Sequence, residues 1–189
     1  MSEDGIKLNL GCGSKIDKDY VNVDKYGDPD IRWDLEEFPW PWEDNTASEV
    51  MLNHVLEHLG QDPNVFIQII KELYRVCKHE AIIKVRVPHP RHNSFLSDPT
   101  HVRPITGETM QLFNKEENRK WVEVGAANST LGLYHDVDLR ILEHTFVICE
   151  EYEKDFIEGR INKEDIHKLE AKYNNVVKEI SMKLQVVKE

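Results

Sequence analysis

The chain has 189 residues, of which 40% are hydrophobic, and its formal net charge is −11 at pH 7. This length suits one domain with a sizeable core, and the acidic balance argues against a general nucleic-acid or anionic-membrane surface. No apolar run reaches the roughly 18 residues of a membrane span, and the acidic residues 1–5 do not resemble a signal peptide. Three widely spaced cysteines, Cys12, Cys77 and Cys149, favour a reducing, cytoplasmic setting without disulfides.

Residues 6–24 are the most informative stretch. They predict a strand, a glycine turn at Gly11 and Gly13, and a second strand that ends at Asp24. Glycines permit a sharp turn and the close approach of a ligand, because they lack a Cβ. A carboxylate at the end of the second strand can accept hydrogen bonds from a ribose diol. The alternative is a plain glycine turn between two buried strands.

The same stretch lacks the features of a dinucleotide site. A dinucleotide fingerprint has a third glycine and a helix whose N-terminus meets the pyrophosphate. Here Ile16 holds the third-glycine position, and the ten residues between Gly13 and Asp24 leave no room for a crossover helix. The site therefore keeps a ribose-binding device without a phosphate-binding one. S-adenosylmethionine meets that description, since it has a ribose diol and an amino-acid tail but no phosphate.

Further along, short strands are expected at 31–33 and 47–53, and a helix is expected to begin at Pro63 with Asp62 as its N-cap. That helix has apolar residues at helical spacing, at Phe66, Ile69, Ile70, Leu73, Val76 and Cys77. Five later elements and one loop are also expected: a strand at 81–87, a loop at 88–105, a short helix at 106–114, a strand at 138–150, a helix at 162–174 and a last strand at 180–187. Residues 115–136 show no clear pattern.

Strands separated by helices or loops indicate an α/β fold with a mostly parallel sheet. Ligand sites of such sheets lie outside the carboxyl ends of the strands. The expected strand ends are at Gly11, Asp24, Asp34, Asn53-His54 and Pro88-His89. The motifs therefore converge on one edge of the predicted sheet.

Four motifs in this order resemble the class I S-adenosylmethionine-dependent methyltransferases, in a compact, type-11-like branch with a shortened first crossover. They are Leu8-Asn9-Leu10-Gly11-Cys12-Gly13, Tyr20-Val21-Asn22-Val23-Asp24, Asp34-Leu35 and His54-Val55-Leu56-Glu57-His58-Leu59. The resemblance covers residues 6–113 well and the remainder loosely. It implies a Rossmann-like three-layer sandwich with a seven-stranded sheet and a reversed last strand. The chain is expected to form one such domain over 1–189, with 88–136 as a substrate-side insert.

The resemblance also implies that S-adenosylmethionine is the cofactor. The Asp at the end of the third strand, Asp34, would reach the adenine amino group, and Leu35 would contact the ring. Asn9 stands where relatives usually carry Asp or Glu, so the chain lacks that negative charge. The full set of expected cofactor-binding residues is Asn9, Gly11, Cys12, Gly13, Asp24, Asp34, Leu35, Asn53 and His54.

Methyl transfer requires alignment of a nucleophile and, for a hydroxyl, removal of a proton. His101 lies in the loop after the predicted fifth strand and can accept a proton near neutral pH; Glu57 and His58 are further catalytic candidates. From Lys84 to Arg103 the chain has four basic residues and one acid, Asp98. Arg91 and Arg103 are therefore expected to pair with an anionic substrate, although Asp98, Thr100 and Arg103 can instead tie the loop to itself.

The segment from His54 to His58 also spells His-x-x-Glu-His, the pattern of inverzincin peptidases. That chemistry needs both histidines on one helix face, whereas His54 is expected at a strand end. The pattern also resembles the Glu-x-x-Glu-His metal site of ubiquinone-pathway O-methyltransferases and small-RNA 3′-end methyltransferases, with His54 replacing the first Glu. A further ligand would come from His89 or His101. The alternative is a helix start whose polar side chains cap backbone groups, and no metal is assigned.

The sequence thus favours a methyltransferase acting on a small, anionic molecule. The alternatives are a non-catalytic module on the same fold that binds a nucleotide or a partner, and a metal-assisted O-methyltransferase. Neither a membrane nor general nucleic-acid binding is expected. The oligomeric state and the atom methylated are left open by the sequence.

Overall fold

The computed structural model describes residues 5–188, so most of the 1–5 stretch used to argue against a signal peptide lies outside the described residues. Its strands are β1 Ile6–Leu10, β2 Val21–Asp24, β3 Ile31–Arg32, β4 Ala47–Asn53, β5 Cys77–Pro88, β6 Leu139–Ile148 and β7 Val177–Val186. Its helices are α1 Pro63–Val76, α2 Asn93–Leu96, α3 Gly107–Gln111, α4 Lys115–Val124, α5 Leu131–His135, α6 Glu150–Ile157 and α7 Lys163–Glu170, with a 3-10 turn at Leu56–His58. Within the described chain, no helix is long and apolar enough to cross a membrane.

The strands form one sheet in the order β3-β2-β1-β4-β5-β7-β6. The pairs among β1 to β5 are parallel, and β7 is antiparallel to both β5 and β6. The predicted seven-stranded, mostly parallel sheet with a reversed last strand is therefore confirmed. The order reverses between β1 and β4, which places the ends of both strands at the switch point where α/β sheets bind ligands.

One face of the sheet carries the core. Leu8, Val50, Ile83 and Leu184, from four different strands, are fully buried in one cluster. α1 covers them, because its apolar residues repeat at helical spacing. The helix begins as predicted, with the Asp62 carboxylate accepting the Asn64 N–H at 2.8 Å.

The opposite face differs from the expected three-layer sandwich. Glu49, Lys84 and Lys183 project from it and are partly exposed. In the described chain, the connections from β1 to β2, β2 to β3 and β3 to β4 consist of turns without a helix. The first of these is too short for a crossover helix. The sheet is confirmed, but over β1 to β5 its second helical layer is missing.

The C-terminal half departs most from the sequence expectations. The stretch 115–136 holds α4, which is capped by Asn114 and ends at the left-handed Gly125, and also α5. α6 was not predicted. Strand β5 begins at Cys77, directly after α1, and Glu80 within it has φ +64°. The assignment of 88–136 as a substrate-side insert stays a prediction.

Candidate functional site

The two glycines of the first turn have different surroundings. Gly11 has φ +66°, and a Cβ there would lie 2.6 Å from Val55 Cγ2. Gly13 has φ +53°, but a Cβ there would meet nothing within 4 Å. Gly11 therefore packs β1 against the segment after β4, whereas Gly13 faces open space at the carboxyl edge.

Asp24 ends β2 and organises the glycine turn. Its Oδ2 accepts the Gly13 N–H and its Oδ1 accepts the Tyr26 N–H, both at 2.8 Å. Each carboxylate oxygen keeps a further lone pair for a ligand hydroxyl. The neighbouring Cys12 is buried, and its burial, together with the charge of Asp24, raises the pKa of its thiol.

Asp34 and Leu35 follow β3, on the same edge as Asp24. The Asp34 Oδ2 pairs with Lys25 Nζ at 3.2 Å, so an adenine amino group would have to displace that lysine. Leu35 is buried, and its carbonyl accepts the Trp40 indole N–H at 3.0 Å. The motif therefore lies where the cofactor hypothesis requires it, with its carboxylate already paired.

Asn9 has a different role from the expected cofactor contact. Its side chain is 3% exposed and donates to the Lys15 carbonyl at 3.0 Å and to Asn22 Oδ1 at 2.9 Å. These bonds hold the far end of the glycine loop against β2. An amide suits this position better than a carboxylate, because the contacts to Lys15 and Asn22 need a donor.

Asn53 and His54 occupy the end of β4. The Asn53 Oδ1 is buried without a hydrogen-bond partner. His54 has φ +57°, its N–H donates to the Arg86 carbonyl, and its ring lies 3.3 Å from both Glu57 and Glu179. The Glu57 carboxylate raises the pKa of the His54 imidazole, against the opposing effect of burial.

Glu57 and His58 belong to a single 3-10 turn that His54 precedes. The geometry of a zinc peptidase needs both histidines on one face of a helix. Because His54 lies in left-handed backbone before the turn, that interpretation is wrong for this chain.

The loop after β5 returns to this turn. The N–H groups of Val102 and Arg103 both donate to the Glu57 carbonyl, at 2.8 and 3.3 Å. The His101 ring thereby reaches the His58 ring, with centroids 4.6 Å apart. One potential ligand atom from each of Glu57, His58 and His101 lies within 4.8 Å of the others. The three catalytic candidates, two from the turn and one from the loop after β5, thus form one cluster.

His89, the alternative to His101 as a partner of this cluster, lies elsewhere. Its Nε2 is 3.0 Å from Glu170 Oε1 of α7, and its Nδ1 accepts the Arg91 N–H. Burial lowers the pKa of its imidazole, although Glu170 opposes this. Together with His144 and His167, it lines a cavity of about 610 Å³ between β6 and α7 that the sequence did not indicate.

The expected anion-binding arginines are held by the protein itself. Arg91 donates to the Glu170 carbonyl at 2.7 Å. Arg103 donates to the Gly60 carbonyl, and its guanidinium lies 4.3 Å from the centre of the Phe66 ring. The other two cations of the basic stretch pair with carboxylates, Lys84 with Glu49 and Arg86 with Glu179. The alternative was that Asp98, Thr100 and Arg103 tie the loop to itself. Thr100 does donate to Asp98, whereas Arg103 bonds Gly60 outside the loop. Anion binding by Arg91 and Arg103 stays a prediction.

Comparison with known proteins gives the fold. The sequence matches no protein-family model and no curated protein. An S-adenosylmethionine-dependent methyltransferase from Archaeoglobus fulgidus is 21% identical with a TM-score of 0.60, over 97% of this chain and 86% of that one. The cyclase SpnF is 13% identical with a TM-score of 0.53, over 98% and 76%.

A third structure of this fold was solved with a ligand. The 1,6-didemethyltoxoflavin-N1-methyltransferase of Burkholderia thailandensis, with S-adenosylhomocysteine bound, is 10% identical with a TM-score of 0.52, over 97% of this chain and 71% of that one. These likenesses confirm the resemblance at the level of the fold. Because SpnF shares the fold as a cyclase, the activity has to be argued from the site.

Proposed function

We propose that this chain is an S-adenosylmethionine-dependent methyltransferase that acts on a small, anionic molecule in the cytoplasm. The observation that carries the proposal is Asp24 at the end of β2, whose carboxylate holds the Gly13 N–H at 2.8 Å beside open space. The methyltransferases of the same fold support it. The three free cysteines agree with a reducing compartment.

The residues at this edge fit the cofactor. Asp24 has lone pairs for two ribose hydroxyls, and the space at Gly13 admits a chain that passes close to the backbone. The buried Asn53 Oδ1 is an acceptor without a donor, which an ammonium or amino group would satisfy. Asp34 would exchange Lys25 for the adenine amino group.

When bound, S-adenosylmethionine supplies a methyl group on a positively charged sulfur. The protein's part is then to place an acceptor atom, exclude water and receive a proton if the acceptor is a hydroxyl. The cluster of Glu57, His58 and His101 supports this role, because Val55, two residues before Glu57, lies beside Gly11. It also supports a second candidate, a metal-assisted transfer, because the buried Glu57 carboxylate pairs with His54 but has no hydrogen-bond partner.

Calorimetry with S-adenosylhomocysteine tests the proposal. The parent chain is expected to bind, and Asp24→Ala to bind about ten- to hundredfold more weakly, because a hydrogen bond to a charged group contributes roughly 1.5–3 kcal/mol. Asp28→Ala is the matched control, since it removes an exposed acid from the same turn. No binding by the parent chain would overturn the proposal. If Asp24→Ala and Asp28→Ala weaken S-adenosylhomocysteine binding equally, Asp24 has no specific role in binding it.

A further inference from the structure

We propose that the cavity between β6 and α7 is a binding site for a small organic cation, an ammonium group on an apolar or aromatic body. The site goes beyond the proposed function, because it would bind this ligand whether or not the chain transfers methyl groups. Three features of the cavity support the proposal: its position in the sheet, its aromatic walls and the state of its two carboxylates.

The cavity lies away from the expected cofactor edge. Asp24 ends β2, whereas Ile180 of β7 lines the cavity. In the sheet, β1, β4 and β5 lie between these two strands. Because neighbouring strands are about 4.8 Å apart, β2 and β7 are separated by about 19 Å. The cavity is therefore a site of its own rather than part of the space beside Gly13.

The outer wall of the cavity is a helical segment inserted between β6 and β7. Residues 149–176 hold both α6 and α7, in place of a short hairpin turn. Ile166 of α7 is 3% exposed and belongs to a small apolar cluster that holds the helix in place. At the other end of α7, Arg91 donates to the Glu170 carbonyl at 2.7 Å. The cavity of about 610 Å³ is thus preformed, and its volume lies in the range of small-molecule sites.

Aromatic rings form part of the lining. The Phe146 ring of β6 lies edge to face with three imidazoles. The centroid distances are 4.9 Å to His144, 5.8 Å to His167 and 6.3 Å to His89. Phe156 of α6 adds a further ring. Aromatic faces attract a cation that lies within about 6 Å of the ring centre, and they also cover apolar groups of a ligand.

Glu170 is the first of the two carboxylates, and its neighbour His89 does not neutralise it. His89 Nδ1 accepts the Arg91 N–H at 3.2 Å, so the ring proton is on Nε2, which donates to Glu170 Oε1 at 3.0 Å. An imidazole that accepts at one nitrogen and donates at the other is neutral. The second oxygen, Oε2, is 3.8 Å from His167 Nδ1, which is too long for a hydrogen bond. Glu170 therefore keeps a negative charge and an oxygen for a ligand N–H group.

Glu108, in the first turn of α3, is the second carboxylate. Its own N–H and the Thr106 hydroxyl lower the pKa of the Glu108 carboxyl, so the group is ionised at neutral pH. Lys163 is the one lysine or arginine among the described residues that line the cavity, and it is exposed. Apart from its histidines, the lining thus has two carboxylates against one ammonium group.

These features together define the class of ligand. A carboxylate oxygen beside aromatic faces recognises an ammonium group. The apolar side chains of Ile148 and Ile180 line the same cavity and suit the body of the ligand. An anionic ligand would instead be repelled by both Glu108 and Glu170.

Two probes of similar shape and opposite charge test the site on the full chain. Phenethylamine is a cation at neutral pH, whereas 3-phenylpropionate has the same ring on a similar chain and is an anion. In an NMR titration, phenethylamine should shift the imidazole resonances of His89, His144 and His167 and leave that of His135, outside the cavity, in place. It should bind at least about tenfold more tightly than the anion, because one hydrogen bond to a charged group is gained. Equal or tighter binding of the anion, or no saturable shift with the amine, would overturn the site.

Glu170→Gln removes the charge and keeps the size of the side chain. It should weaken phenethylamine binding about tenfold and leave the binding of neutral 2-phenylethanol within about twofold. Glu164→Gln is the matched control, because Glu164 is an exposed acid of the same helix that pairs with Lys168. This variant should bind both probes as the parent does. If the two variants lose equal affinity for the amine, the cavity does not bind it through Glu170 and the proposal is wrong.

S-adenosylhomocysteine separates this site from the proposed function. It should bind to Glu170→Gln as it binds to the parent, and it should not compete with phenethylamine. Competition between the two would place the probe at the Asp24 edge and overturn a separate site. If the parent binds the amine but not the nucleoside, only the methyltransferase proposal is wrong. The reverse result removes only the cation site.

Discussion

The two halves of the sheet's carboxyl edge are built in opposite ways. At β1 and β2, Gly13 and Asp24 come from one short stretch of chain, and they stay partly open to solvent. At β4 and β5, Glu57 and His58 meet His101 from a loop more than forty residues away and are largely enclosed. The first half presents hydrogen-bond acceptors that are open to solvent. In the second half, three side chains are already held close together.

The two halves differ in what determines their geometry. The open half needs only a turn and a strand end, which local sequence specifies. The enclosed half depends on loop closure, because its two histidine rings contact Thr100 and the Phe95 carbonyl of the loop. Substitutions in the two halves should therefore differ in their effects on stability and on ligand binding. Measuring both quantities for each variant tests the comparison.

The largest effect is expected for Gly11→Val, which acts at the point where the two halves touch. The new Cβ would clash with Val55 at 2.6 Å in backbone at φ +66°. Overpacking and strained backbone together should lower the free energy of unfolding by about 3–5 kcal/mol. Urea denaturation measures this loss.

Gly13→Val is the matched variant. Since a Cβ there meets nothing within 4 Å, only the left-handed conformation is penalised, at about 1–2 kcal/mol. It should weaken S-adenosylhomocysteine binding. If the two substitutions lower the free energy of unfolding equally, the close contact at Gly11 and the open space at Gly13 do not differ in solution as described.

Sequence reasoning reached the fold through its periodic elements. α1 was predicted from its Asp62 cap and apolar repeat, and the mostly parallel sheet from strands separated by helices or loops. The sequence also predicted that the first crossover has no helix, but the three-layer sandwich was expected from the resemblance. α4 and α6 were missed because their mean hydropathy is low and few of their residues are buried.

For the site, residue types were predictable and their contacts were not. Asp24, Glu57 and His101 were all identified from the sequence, yet no local pattern chooses His101 over His89 as the neighbour of His58. That choice is made by the main-chain bonds from Val102 and Arg103 to Glu57. The same limit applies to the basic stretch. Counting charges cannot show that each cation is already paired.

Arg103→Ala should have the next largest effect, and it tests whether the enclosed half is held together by this residue. The guanidinium stacks on Phe66 of α1 and donates to the Gly60 carbonyl. Losing both should lower the free energy of unfolding by about 2–4 kcal/mol. Arg91→Ala, at a more exposed position, should cost less. If Arg103→Ala keeps full stability and loses only substrate affinity, the residue is an anion receptor after all.

The smallest effect is expected for Glu72, whose side chain bonds to the loop between β3 and β4. This loop belongs to the open half, where it takes the place of a helix. The buried Glu72 of α1 accepts the Trp40 N–H at 2.7 Å and pairs with Arg75. Burial raises the pKa of the Glu72 carboxyl, but the bonds from Arg75 and Trp40 outweigh it, so the pKa lies below its ordinary value. The unfolded state then binds the proton more tightly than the native state. Stability from this group is therefore complete above the unfolded pKa of about 4.3 and is lost as the pH falls through the folded pKa.

Glu72→Gln isolates this contribution, because the amide cannot titrate. At pH 7 the variant should be less stable than the parent by about 1–2 kcal/mol, since hydrogen bonds to a charged group are lost. The difference should shrink as the pH falls below about 4.3, because the unfolded parent then takes up a proton that the native carboxylate binds less tightly. Urea denaturation at several pH values measures it.

Glu43→Gln, at an exposed position of the same loop, is the control and should follow the parent at every pH. A gap between parent and Glu72→Gln that stays constant down to pH 3 would mean that the loop is held by packing of Trp40 rather than by the charge of Glu72.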